Sequence, residues 1–211
     1  MINQYINSNS IWLRRYKESV QLSEIQREVL IGTLLGDGYL RLSPSGKSAS
    51  LQVYHSMKVK EYVLWKRNIF HNIVLANPYY QRTNKAVRFT TISHSSFLEF
   101  YTLFYGSGIK KIPGDIAKYL KSSLSLAVWF MDDGNGYIKN DACRLSTYAF
   151  GLEGNILLQS CLKMNFDLDV HLIQDSKGYQ IYIPVKNGSA LKFRNLISSY
   201  IIPTMKYKLE H

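Results

Sequence analysis

The sequence predicts an α+β fold made from one unit used twice, a tandem αββαββα arrangement with a pseudo-two-fold axis and a saddle of antiparallel sheets. Three observations carry this. An acidic motif occurs twice, as LIGTLLGDG over 30–38 and LAVWFMDDG over 126–134, each an apolar helical run that ends in Asp-Gly. Asp37 and Asp133 hold the same place in each copy, 96 positions apart. Lys110 then follows Asp37 by 73 positions and Lys208 follows Asp133 by 75, each lysine near an Ile-Pro pair. Between these points, alternating segments and turn residues come in the same order in both copies.

Residues 1–22 read as a polar, irregular leader. Ser23 is a candidate N-cap, and Gln26 three residues later completes a capping-box pattern. A helix is expected from there to Asp37, with Gly38 as a left-handed stop. Strands follow at 39–42 and 50–57 around a turn at 43–48. The stretch 58–70 has helical period, with Tyr62, Trp65 and Ile69 spaced for one buried face. A second hairpin is expected at 79–82 and 87–93, then a helix through Tyr105 capped by Ser93 or Ser95. A glycine-rich stretch leads to Lys110, Lys111, Ile112 and Pro113. The first half is thus 23–121 and the second 122–211.

In the second half a helix at 124–133 is stopped by Gly134. Strands are expected at 137–139 and 144–148, then a helix at 152–165. Strands at 170–175 and 179–184 flank a Lys177-Gly178 turn. A helix at 190–200 precedes Ile202, Pro203 and Lys208.

The chain has 211 residues, and 46% are hydrophobic, enough for a substantial core. No apolar run approaches the roughly 18 residues needed to cross a bilayer. The opening MINQYINSNS lacks a basic-then-apolar signal pattern. An intracellular setting is therefore expected, either the cytoplasm of a prokaryote or an organelle matrix. Cys143 and Cys161 form neither a disulfide framework nor a metal-ligand spacing. The net charge of +11 is spread along the chain, which predicts a long positive face for a phosphate backbone. Sixteen tyrosines in polar, β-prone segments point the same way, since tyrosine contacts both bases and phosphates.

A carboxylate at a helix C-terminus meets the negative end of the macrodipole and unpaired carbonyls. Two such ends brought together repel, and a divalent cation relieves the repulsion. Mg²⁺ favours a few carboxylate oxygens, water and phosphate oxygens, and Mn²⁺ is expected to substitute. Acid-bound metal near a scissile phosphate can activate water and stabilise the leaving oxygen. Lysines nearby would polarise that water or neutralise developing charge. A lone Asp-Gly is usually just a helix-ending turn; two in matched frames, each with a lysine, are not. Gly36 and Asp132 complete the expected metal region, with Asp132 an accessory or structural acid whose counterpart in the first copy is Gly36. Gly32 and Gly36 lie four apart and would let the second motif helix come close.

The strands are expected to read base edges. Leu51 and Val53 oppose Ser50, Gln52 and Tyr54, and Val87 and Phe89 oppose Arg88 and Thr90. Leu145 opposes Arg144 and Ser146, and Ile181 and Ile183 oppose Gln180 and Tyr182. The outward sets are hydrogen-bonding types suited to a major groove. Arg41, Arg82 and Lys139 add basic contacts to this DNA-binding set.

The two motifs resemble the paired signature of LAGLIDADG homing endonucleases. SLAVWFMDDG is similar to the variant in single-chain, two-motif members such as the yeast mitochondrial omega-intron endonuclease. The resemblance runs from about residue 23 to Leu209, through KKIP at 110–113 and IPTMKYKL at 202–209. It implies that Asp37 and Asp133 bind metal at the base of two packed helices, with Lys110 and Lys208 as the active-site lysines. Lys111 is an alternative for the first. It further implies a monomer that cuts both strands of a long, asymmetric double-stranded DNA site. Two other activities fit the same family: an RNA maturase acting on intron RNA, and a non-cleaving DNA-binding regulator. Retention of both acids and both lysines favours cleavage.

Overall fold

A computed structural model of the chain describes residues 11–106, 108–136 and 141–209. The first half contains α2 (Glu24–Leu35), β1 (Tyr39–Leu42), β2 (Ala49–Ser56), α3 (Lys60–Ile69), β3 (Tyr79–Gln81), β4 (Ala86–Thr90) and α4 (Leu98–Tyr105). The second repeats the order with α5 (Ser123–Asp133), β5 (Gly134–Gly136), β6 (Cys143–Leu145), α6 (Gly151–Phe166), β7 (His171–Asp175), β8 (Gly178–Ile183) and α7 (Ser189–Ile197). The two antiparallel sheets have orders β1-β2-β4-β3 and β5-β6-β8-β7, the same topology twice.

The leader expectation fails for residues 11–19, which form a further helix, α1 (Ile11–Ser19). Its packing is tertiary: Leu13 is buried, and the Lys17 carbonyl lies 2.6 Å from His94 Nε2. His94, not Ser93 or Ser95, caps the turn before α4, accepting from the Ser96 N–H. The capping box at Ser23 forms in full, with both reciprocal bonds present. The buried face of α3 centres on Tyr62, Val63 and Lys66, while Trp65 and Ile69 are only half-buried. In the second half β5 begins directly at Gly134, earlier than the expected strand at 137–139, which lies outside the described residues.

The motif helices α2 and α5 form the seam between halves. Val29, Leu30, Leu34 and Leu35 are buried on one, and Leu126, Val128, Trp129 and Phe130 on the other. Each such side chain contributes roughly 1.5–3 kcal/mol of transfer free energy. Gly32 permits the approach, because a Cβ there would sit 2.4 Å from the Ser125 carbonyl oxygen and 2.7 Å from Val128 Cβ. Ser125 Oγ reaches across to donate to the Glu28 carbonyl at 2.8 Å.

The motif ends differ from expectation. Helix α2 stops at Leu35, two residues before Asp37, whereas α5 includes Asp133. Neither Gly38 nor Gly134 is left-handed. They are needed for space: a Cβ on Gly38 would lie 2.3 Å from Thr33 Cγ2, and one on Gly134 would lie 2.1 Å from Phe130 Cδ2.

Candidate active site and DNA face

The seam brings the two motif ends together. Asp37 follows the end of α2 with its side chain about half exposed. Asp132 and Asp133 close α5, and the Asp132 side chain is fully buried. The Asp37 N–H points to Asp132 Oδ2 at 3.4 Å. Gly36 makes this meeting possible, because a Cβ there would be 2.4 Å from Asp132 Cβ.

Each half then delivers one lysine to its own motif. Lys110 Nζ donates to the carbonyls of Gly36 at 2.7 Å and Gly38 at 3.0 Å. Lys208 Nζ donates to the carbonyls of Met131 at 2.7 Å and Asp132 at 2.8 Å. The Gly36, Met131 and Asp132 carbonyls belong to the two helix ends and the Gly38 carbonyl to the turn just beyond α2, so the lysines satisfy them while standing beside the acids. Lys111 is exposed, and its backbone N–H bonds to the Phe104 carbonyl. Lys110 is therefore the lysine that reaches the first motif.

The electrostatics are those of a site crowded with acid. Burial, then the nearby Asp37 and Asp132 carboxylates, push Asp133 up to about 7. Burial lowers Lys110 to about 8 against the pull of Asp133, Asp132 and Asp37, and burial lowers Lys208 as well. A carboxyl group whose ionised form is disfavoured first by burial and then by neighbouring carboxylates marks a place where a cation would be stabilising. Asp37 and Asp132 bring carboxylate oxygens together with a His55 ring nitrogen within 4.8 Å, and Asp133 stands close enough to feel both acids, a donor set that suits a divalent cation.

Several groups at this centre were not singled out by sequence. Lys66 Nζ donates to both Asp132 oxygens, at 2.8 and 2.9 Å, with both side chains fully buried. This pairing gives Asp132 a partner within the protein, while Asp37, His55 and Asp132 each still bring one potential ligand atom within 4.8 Å of the others. The Gly36 carbonyl, the other accessory position, is the acceptor for Lys110. His55, on β2, lies with Nδ1 3.5 Å from Asp37 Oδ2 and Nε2 3.6 Å from Asp132 Oδ1. The signal available was strand parity, which puts His55 on the inward face with Leu51 and Val53.

The outer faces of the sheets carry most of the expected DNA-binding residues. Register aligns Tyr39, Gln52 and Thr90 in one row and Tyr54, Arg88 and Tyr79 in the next. The Arg88 guanidinium stacks over the Tyr79 ring at 4.6 Å, and Arg41 is exposed on β1. In the second sheet Asn135, Arg144, Tyr182 and His171 form the matching row. Ser146 is exposed just beyond β6, and Arg82 is exposed in the turn after β3. Two residues depart from the expectation. Ser50 is buried, and Gln180 is 2% exposed with its Nε2 donating to Asp175 Oδ2 at 3.0 Å. Lys139 lies outside the described residues.

Two joined αββαββα units, each contributing one acid and one lysine where the C-terminal ends of a shared helix pair meet, define a class of DNA-cutting proteins. The chain belongs to the LAGLIDADG DNA endonuclease family, whose model matches residues 27–191. It is 34% identical to the probable intron-encoded endonuclease 1 of Wickerhamomyces canadensis, over 97% of this chain and 92% of that protein. It is 28% identical to the cytochrome b mRNA maturase bI2 of Debaryomyces hansenii, over 86% of this chain and 72% of the relative. Its structure matches the homing endonuclease I-WcaI bound to its DNA recognition sequence with a TM-score of 0.87 and 31% identity, covering 97% and 95% of the two chains.

Proposed function

We propose that this chain is a homing endonuclease, a metal-dependent enzyme that hydrolyses both strands of a long, asymmetric DNA site. The observation that carries this reading is the pairing at the seam: Asp37 with Lys110 and Asp133 with Lys208, beneath one packed helix pair. Asp37 and Asp133 would hold Mg²⁺, which supplies water activation and charge neutralisation when bound. The lysines, donating to the last helix carbonyls, stand where they can also donate to an attacking water or to charge developing on the phosphate. Gln52, Tyr54, Arg88 and Thr90 on one sheet, and Arg144, Ser146 and Tyr182 on the other, are the side chains proposed to meet base edges and backbone. The two halves differ at matched positions, so a single chain would suit an asymmetric site.

Selection of cleaved sequences from a randomised double-stranded library with Mg²⁺ tests this. One long asymmetric site, cut on both strands by one protein molecule, is the expected result. Absence of any cleaved sequence with Mg²⁺ or Mn²⁺ would overturn it. The maturase relative favours a second activity, assistance to splicing. Binding and splicing assays on the RNA of the host intron would reveal it.

A further inference from the structure

The acid at position 132 has no counterpart in the first motif, where Gly36 stands, and three first-half side chains gather around it. Lys66 binds both its oxygens, and neither group is exposed to solvent. Tyr62, one turn earlier on α3, places its ring 4.4 Å from Lys66 Nζ and donates its hydroxyl to the Val128 carbonyl of α5 at 3.1 Å. The His55 ring packs against Tyr62 at 5.6 Å and lies between the two carboxylates. Its side chain is nine-tenths buried, and its Nε2 has no hydrogen-bond partner among the described residues. Its distances to Asp37 and Asp132, 3.5 and 3.6 Å, are just beyond hydrogen-bond length, and such contacts commonly tighten when substrate binds.

Sheet register shows that this arrangement is one-sided. Tyr39 pairs with Gln52, and its duplicate Asn135 pairs with Arg144. Gln52 therefore corresponds to Arg144, and His55, three residues on, to Thr147. Thr147 is buried, with its hydroxyl bonded to Asn155 of its own half. The Asp37 end therefore has a histidine wedge and a clamped carboxylate, and the matching position at the Asp133 end carries a threonine turned to its own helix.

We propose that His55 and Lys66 act through Asp132 as positioning residues for the Asp37 carboxylate, so that the two strand-cutting centres depend on different supports. Lys66 fixes Asp132, and Asp132 faces the Asp37 N–H. His55 spans the remaining gap and limits how far the Asp37 side chain can swing. Removing a group that orients a metal-binding carboxylate typically costs 10–100-fold in affinity or activity. Here that loss should fall on one DNA strand.

This inference rests on the endonuclease reading, and the test separates the two. A supercoiled plasmid bearing the selected site, with each strand followed separately, is cut by the wild-type chain and by His55→Gln and His55→Ala. The expected result is a loss of about 10-fold or more on one strand with the other little changed, so nicked circles accumulate. His55→Gln should recover part of what His55→Ala loses, and DNA affinity should stay within about 3-fold. Lys66→Met combined with Asp132→Asn, which leaves no lone buried charge, should bias the same strand. Equal slowing of both strands, no change in their ratio, or a loss confined to DNA affinity would overturn the proposal. Failure of the wild-type chain to cut would instead reject the endonuclease reading itself.

Discussion

The two motif ends share one topology and differ in how each acid is held. Asp37 lies beyond its helix with half its side chain exposed, and its neighbours from β2 and α5 surround it. Asp133 is the last residue of its helix, more deeply set, and burial with its acidic neighbours raises it to about 7. Duplication therefore preserves where the acids stand but not what supports them. Each end has its own lysine, and only the Asp37 side adds a histidine and a buried lysine–aspartate pair from the neighbouring elements.

The largest way to break the comparison is to remove each acid. Asp37→Asn and Asp133→Asn should each reduce double-strand cleavage by about 10³-fold or more while DNA binding persists, as measured by gel shift beside single-turnover cutting. Lys66→Met alone should destabilise the fold by about 3–5 kcal/mol, because it leaves Asp132 buried and unpaired. Denaturant melts would show this, and adding Asp132→Asn should restore most of the loss.

Lys110→Met and Lys208→Met should each slow cleavage by about 10²-fold, and to unequal degrees, since their carbonyl partners and surroundings differ. If Lys111→Met were damaging and Lys110→Met silent, the lysine assignment would be reversed. Acidity sharpens the contrast further. The folded, metal-free chain holds the Asp133 proton more tightly than the unfolded chain does. That contribution favours the fold at low pH, declines as pH rises above the ordinary carboxyl range of about 4, and is gone by about 7. Asp133→Asn should therefore raise metal-free stability at about pH 8 by ~2 kcal/mol, and Mg²⁺ should raise the melting temperature of the wild type but not of this variant. The smallest effects lie on the sheets. Arg88→Ala and Arg144→Ala should relax base preference at single positions by about 1–3 kcal/mol, read by cutting all single-base variants of the site.

Much of this was legible in sequence because duplication doubles each signal. The helix pair, the strand parity and the two lysines all repeat at nearly constant spacing, and Ser23 and Gln26 announce the first motif helix locally. What stayed hidden does not repeat. His55 and Lys66 serve a single acid, and a lysine inside a helical stretch reads as solvated until its partner from the other half is known. Helix α1 is not legible because little in its own pattern, with Leu13 as its one buried residue, marks a core face. Ser50 and Gln180 have the outward parity of their strands, but parity does not reveal that Asp175 would engage Gln180.

The buried Lys66–Asp132 contact joins residues that belong to different units of the duplication. A second unit carrying an acid at that position brings with it a charge that only a suitably equipped first unit can neutralise. Hybrid proteins assembled by exchanging units between relatives would therefore obey a compatibility rule that no strand or DNA contact expresses. Pairings that match a cation at 66 with an acid at 132, or that lack both, should yield folded chimeras, and mixed pairings should not.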